Sequence, residues 1–243
     1  MAKIFSIGIG PGHLDLMTIR ARDVLQHCDS VVGYVRFIRL VEPLIRDKEV
    51  YSNALHQEDE RAHKAIELAR AGKNVAVISS GDSGVYGMAV LLQKLLPMNE
   101  DISLEIIPGI TAGLAGASLV GTPLSSDFAV LSLSEDYSDL ATILYRARLY
   151  AQANVTVVLY NPGETADKPG VLSEVIDIFR HHRPPEIPVA IVQKAYRSTQ
   201  SIEILTLENF AVDKMDVNST IFICSDECKI FDDRILGKRG YVI

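Results

Sequence analysis

The sequence predicts an α/β protein. Short apolar runs rich in β-branched residues alternate with helix-length amphipathic stretches, and those runs repeatedly end in glycine-bearing loops. The clearest case is Val75, Val77 and Ile78. This run breaks at Gly81-Asp82-Ser83-Gly84 and resumes as an apolar face of Val85, Met88, Ala89, Leu92, Leu95 and Leu96. A buried strand, a tight loop and a helix over 85–96 are expected there. Glycines admit a ligand close to the backbone, and Asp82 is placed to cap the helix or to accept from a ligand. An ordinary strand-to-helix connection has the same pattern.

Composition narrows the class. A chain of 243 residues accommodates one large α/β domain or two smaller ones. The 24 basic and 31 acidic residues give a net charge of −7, which excludes a broad nucleic-acid surface and leaves room for a local basic pocket. Cys28, Cys224 and Cys228 are odd in number and lack the paired spacing of a zinc site. They are expected as free thiols in a reducing compartment, with no metal centre. Residues 1–30 lack the apolar core of a signal peptide, and no apolar run reaches membrane-spanning length, so a cytoplasmic protein without membrane contact is expected.

In chain order, residues 4–9 form a strand that enters Gly8-Ile9-Gly10-Pro11-Gly12, and Thr18 caps a helix with Ile19, Val24 and Leu25 on its apolar side. This loop is not a dinucleotide fingerprint. Pro11 removes a donor where a pyrophosphate wants one, and His13-Leu14-Asp15 lengthens the connection. A second strand spans 30–33, and 34–45 reads as a helix broken by Pro43 that carries Arg36 and Arg39. Residues 58–71 are an amphipathic helix (Ala62, Ala65, Ile66, Leu68, Ala69) ended by Gly72. His56, His63, His181 and His182 read as surface residues. A strand over 104–107 leads into Pro108-Gly109-Ile110-Thr111-Ala112-Gly113, where Thr111 is a candidate cap. The small residues Ala112, Gly113, Ala115 and Gly116 suit either close helix packing or a flat ligand.

Gly121-Thr122-Pro123 with Ser125-Ser126-Asp127 is the expected boundary, giving domains 1–122 and 123–243. The second half restarts with a strand over 128–133, a helix over 140–150 and a strongly apolar strand over 155–160 that ends in Asn161-Pro162-Gly163-Glu164. A helix over 171–181, a turn at Pro184-Pro185 and a strand over 189–192 follow, closed by Gln193-Lys194-Ala195-Tyr196-Arg197. Late strands over 201–206 and 220–225, in antiparallel pairing, and a polar tail over 226–243 complete the chain.

Taken together, Gly8 to Gly12 with Leu16-Met17-Thr18, Gly81-Asp82 with Tyr86, Pro108 to Ala112, and Leu159-Tyr160-Asn161-Pro162 resemble, in order and spacing, the tetrapyrrole methylases that use S-adenosylmethionine. Val32-Gly33-Tyr34, the stretch from Ser79 to Ala89 and Leu131-Ser132-Leu133-Ser134 are similar to the branch that methylates ring carbon 17 of precorrin-3B or cobalt-precorrin-3 in cobalamin synthesis. Ser83 stands where the wider family has proline, and Glu135 and Cys224-Ser225-Asp226 also depart from its pattern. The resemblance implies two α/β domains, each a mainly parallel or mixed sheet flanked by helices, with a cofactor trough between them, and a homodimer. It implies S-adenosylmethionine on Gly81, Asp82, Val85, Tyr86, Thr111 and Ala112, with Tyr160, Asn161 and Ala195, and a tetrapyrrole facing Gly10, Pro11 and Gly12.

Methyl transfer from a sulfonium asks for alignment and exclusion of water more than for a strong base, in keeping with a sequence that has no triad. His13 and Asp15 are the candidate catalytic residues, for proton movement during ring contraction. Arg36, Lys194 and Arg197 are candidates for the carboxylates of the substrate. A methylase acting at another precorrin position or on uroporphyrinogen III, a methylase of RNA or protein, and a non-catalytic tetrapyrrole carrier are the alternatives.

Overall fold

The computed structural model describes residues 2–96, 101–163, 170–212, 215 and 218–238. Glu164 and residues 239–243 of the expected tail lie outside them. The chain forms two compact units, Met1–Ala112 and Gly113–Ile243.

The first unit is a five-stranded parallel sheet. Its strands are β1 (Ala2–Gly8), β2 (Ser30–Tyr34), β3 (Glu49–Asn53), β4 (Val75–Ser79) and β5 (Ile102–Ile107), in the order β3-β2-β4-β1-β5. Helices α1 (Ile19–His27), α2 (Val35–Val41), α3 (Glu58–Arg70) and α4 (Ala89–Leu95) connect them. Because both faces are covered, the central strands are apolar at nearly every position. Ile7 and Ile78 pack with Leu25 and Val41 in one core, while Ile4, Val75 and Val77 pack with Ile66 and Leu92 in another.

Three expectations for this unit change. Ile19 is 81% exposed, because the buried face of α1 is set by Ala21, Val24 and Leu25, and Ile19 lies about 200° around the helix from Ala21. Helix α4 starts at Ala89, not at Val85: Tyr86 has a left-handed φ of 54°, which ends any helical path through it. Strand β3, absent from the sequence reading, is an edge strand whose exposed Glu49 and Val50 hide the period-2 pattern. Thr18 does cap α1, accepting from Ala21 N at 3.2 Å. Pro43 opens a 3-10 turn, Glu42–Leu44, directly after α2.

The second unit holds α5 (Ala112–Val120) from its second residue on, then β6 (Phe128–Ser132), α6 (Leu140–Ala153), β7 (Thr156–Tyr160), α7 (Val171–His182), β8 (Pro188–Gln193), β9 (Ser201–Thr206) and β10 (Ser219–Ile223). The sheet order is β6-β7-β10-β8-β9. Strands β6 and β7 are parallel, β10 runs antiparallel to β7 and β8, and β9 is antiparallel to β8, so this sheet is mixed. Phe179, Phe222, Ile143, Leu159 and Leu172 fill its core.

Helix α5 belongs with this sheet because its small residues are packing surface. A Cβ on Gly116 would sit 2.8 Å from Phe222 Cζ, and one on Gly113 would sit 2.8 Å from the Tyr160 hydroxyl. The division of the chain therefore falls at the start of α5, ahead of the expected polar connection at Thr122-Pro123. The tail is more than a polar end. It forms a hairpin of β11 (Lys229–Phe231) and β12 (Arg234–Leu236), and Ile235, 1% exposed, is tied by its carbonyl to Thr122 N at 2.8 Å.

Candidate functional site

Parallel pairing brings the carboxyl ends of β1, β4 and β5 to one edge of the first sheet, so the three glycine loops that follow them emerge side by side. In open α/β sheets ligands bind at this edge. The loops after β1 and β4 are bonded backbone to backbone: Gly10 N donates to Gly81 O at 3.0 Å and Gly81 N to Gly10 O at 2.8 Å. Gly10 and Gly81 have φ of 75° and 68°, conformations that favour glycine. The turn after β5 joins the same cluster. A Cβ on Gly109 would sit 2.1 Å from Gly81 O, and one on Gly8 would sit 2.7 Å from Gly109 N. Only backbone fits where the loops meet.

Asp82 is half-buried in this cluster and does not cap α4, whose first turn begins seven residues later at Ala89. Its Oδ1 accepts from Gly84 N at 2.7 Å and its Oδ2 from Gly109 N at 2.9 Å. Ser83 is fully buried and donates to Ser6 O at 3.1 Å, while Ser79 Oγ accepts from Met88 N at 3.1 Å. Val85, Tyr86, Thr111 and Ala112 are half-buried around the loops. Tyr86 carries backbone strain of about 1–3 kcal/mol in its left-handed conformation.

In the second unit, β6, β7 and β8 end at one edge of the mixed sheet. Tyr160, the last residue of β7, accepts from Gly113 N at 2.6 Å, fixing the first turn of α5 to the strand end. Asn161 follows with a φ of 53° and donates through Nδ2 to Ser132 Oγ at 2.9 Å, joining the loops after β6 and β7. The turn after β8 is tight: Lys194 and Tyr196 both have positive φ, and Arg197 N donates to Lys194 O at 3.0 Å. Tyr196 reaches Ser118 on α5 through a 2.8 Å hydroxyl contact, and half-buried Ala195 lies between the two strained residues.

Residues 3–211 match the family described as Tetrapyrrole (Corrin/Porphyrin) Methylases. The chain belongs to the tetrapyrrole methylase family. It is 36% identical to the probable cobalt-factor III C(17)-methyltransferase of Salmonella typhimurium strain LT2, over 98% of each chain. It is 34% identical to the cobalt-factor III methyltransferase of Priestia megaterium over 98% of its own length, and spans 45% of that longer protein. Among solved structures, the methyltransferase CobJ superposes with a TM-score of 0.92 at 26% identity, covering 98% of this chain and all of CobJ.

For this tetrapyrrole methylase, the expected site residues fall into two groups. Gly10, Pro11, Gly12, Gly81, Asp82, Val85, Tyr86, Thr111 and Ala112 share the carboxyl edge of the first sheet. Tyr160, Asn161, Lys194, Ala195 and Arg197 share the corresponding edge of the second. Arg36 is exposed in the first turn of α2, just past the end of β2. His13 caps a 3-10 turn, Leu14–Leu16, in the first loop and Asp15 lies within it, with His13 Nδ1 3.5 Å from Asp15 Oδ2, and both are exposed. Sequence reasoning placed Ser79, Ser83 and Ser132 within motifs but gave no role to these small polar residues, which tie the loops down. Their signal is a serine at or just past the end of a β-branched run, where a strand would otherwise stay apolar. No group of three or more metal-ligating side chains occurs among the described residues, and none of the described helices is long and apolar enough to cross a membrane.

Proposed function

We propose that this chain is an S-adenosylmethionine-dependent C-methyltransferase that methylates ring carbon 17 of a precorrin-3 type tetrapyrrole, with ring contraction, in cobalamin biosynthesis. The near full-length similarity to a relative named for C(17) methyl transfer carries this reading. The names of these relatives favour the cobalt-bearing substrate.

The cofactor supplies a methyl group already activated by its sulfonium. The loop edges suit it: backbone groups tied down by short hydrogen bonds line them, and alignment is what such a reaction requires. Gly81, Val85, Tyr86, Thr111 and Ala112, with Tyr160, Asn161 and Ala195, hold the cofactor in this reading, and Asp82 bonds the backbone of the loops that carry them. Gly10, Pro11 and Gly12 face the tetrapyrrole, and Arg36, Lys194 and Arg197 receive its carboxylates as charge-assisted partners. His13, oriented by Asp15, moves a proton during ring contraction. The working form is a cytoplasmic homodimer, and sedimentation equilibrium returning the mass of one chain overturns the dimer.

The decisive experiment incubates purified protein with S-adenosylmethionine and either cobalt-factor III or precorrin-3B, followed by mass spectrometry and fragment analysis of the product. One added methyl at carbon 17 is expected. Methylation confined to another intermediate refutes the carbon-17 assignment, and failure to bind S-adenosylhomocysteine refutes the methylase reading.

A further inference from the structure

The three glycine loops of the first unit are joined in two different ways. Those after β1 and β4 exchange a pair of backbone hydrogen bonds between Gly10 and Gly81, a contact that does not depend on any side chain. The turn after β5 is attached through side chains: the Asp82 carboxylate accepts Gly109 N at 2.9 Å, and Thr18 Oγ1 donates to Pro108 O at 3.3 Å. Gly109 lies so close to Gly81 and Gly8 that it has no room for a side chain of its own, so the turn's position follows closely from where its backbone is held.

Both oxygens of Asp82 already accept from backbone N–H groups, Gly84 on its own loop and Gly109 on the next. Each oxygen keeps a second lone pair, so these bonds do not saturate the carboxylate, but they fix its orientation between the two loops. The carboxylate is well placed to fix two loops relative to each other, because charge-assisted bonds to backbone amides are short and strong.

We infer that Asp82 is a positioning residue: it latches the Pro108–Ala112 turn to the Gly81–Gly84 loop and presents Thr111 and Ala112 to the ligand without touching the ligand itself. This inference rests on the proposed cofactor site for its consequence, though not for its geometry. The latch is made entirely by groups of the chain, so it is measurable without any ligand.

Asp82→Asn tests it. The amide keeps a carbonyl oxygen for one N–H and turns an NH2 toward the other, so one of the two bonds is lost. In the ligand-free variant, amide hydrogen exchange at Gly109 or Gly84 is expected to accelerate by about tenfold or more, with the amides of β1 and β4 unchanged. Affinity for S-adenosylhomocysteine, adenosine and methylthioadenosine is expected to fall by a similar factor for all three, since a displaced turn affects every ligand that rests on it. Asp82→Ala, which loses both bonds, should lie further in the same direction, with Asn as the partial rescue. If Ala fails to fold, the Asn variant alone carries the test.

Unchanged exchange at both glycine amides overturns the latch. A loss of affinity confined to those ligands that carry one particular functional group also overturns it, because that pattern marks a direct contact. If the wild-type protein binds none of the three ligands, the cofactor reading fails while the exchange result still decides the latch.

Discussion

At single residues, the close approach of backbone and side-chain polar groups sets the chemistry. Cys228 is buried, and a hydrogen bond from the Cys224 thiol, followed by the Ser225 and Thr156 hydroxyls, outweighs desolvation and holds its pKa down to about 6 from an ordinary 9.0. Cys224, fully buried, is pushed the other way by serving as that donor and by desolvation. Between pH 6 and 9 the unfolded chain would hold the proton that folded Cys228 has lost, so this group contributes stability that grows with pH across that window and is lost as pH falls through about 6. Cys228→Ser should remove a thiolate absorbance step near pH 6 and flatten the rise in thermal midpoint over the same range, whereas Cys28→Ser, whose thiol burial raises to about 11, should leave both in place. None of this was legible in the sequence, where three cysteines announced only free thiols. The His13–Asp15 pair was legible as chemistry but not as geometry. If it moves a proton, His13→Ala and Asp15→Asn should each slow single-turnover ring contraction by about a hundredfold, with cofactor affinity unchanged. Full rates in both variants remove the pair from the mechanism.

Among elements, the sequence was most informative where burial on both faces produced unbroken apolar runs, as in β4, β7 and β8, and least informative at the edges. Edge strand β3 exposes the adjacent Glu49 and Val50 as well as Ser52, so it lacks an apolar alternation and reads as loop. The hairpin after Asp226 reads as polar because one buried residue, Ile235, holds it. Its carbonyl accepts from Thr122 N, and its side chain joins the core of the second unit. The neighbouring Phe231 is 68% exposed and fills no core. Ile235→Ala should therefore lower the unfolding free energy by about 2–4 kcal/mol in a urea titration, while Phe231→Ala should change it by less than about 0.5 kcal/mol. Equal costs would mean that the hairpin is held by its exposed face. Helix α4 shows the opposite limit of sequence reading. Its apolar spacing extends back to Val85, yet local backbone at Tyr86 and the glycines around it delay the helix, leaving residues 82–88 as loop where the site needs it.

Across the whole molecule, charge and its placement pull in different directions. The chain carries a net charge of −7, and its proposed substrate is a polycarboxylate, so the average field opposes binding. Average charge acts over about 8–10 Å before salt screens it, whereas a guanidinium or ammonium in contact with a carboxylate acts at bonding distance. Recognition must then rest on few cations set near the loop edges. Arg36 follows the end of β2, and Lys194 and Arg197 follow the end of β8, positions fixed by strand direction in each sheet. Arg36→Gln, Lys194→Gln and Arg197→Gln should each raise KM for the tetrapyrrole about five- to tenfold and leave the affinity for S-adenosylhomocysteine unchanged, the separation expected if these cations meet substrate alone. Their effects should shrink as ionic strength rises, because added salt weakens the exposed contacts that each substitution removes. A variant whose KM matches the wild type identifies a cation that only solvates the surface. One that weakens both ligands equally would instead have disturbed its loop, and in the strained turn that holds Lys194 and Tyr196 that result would assign the charge a structural role.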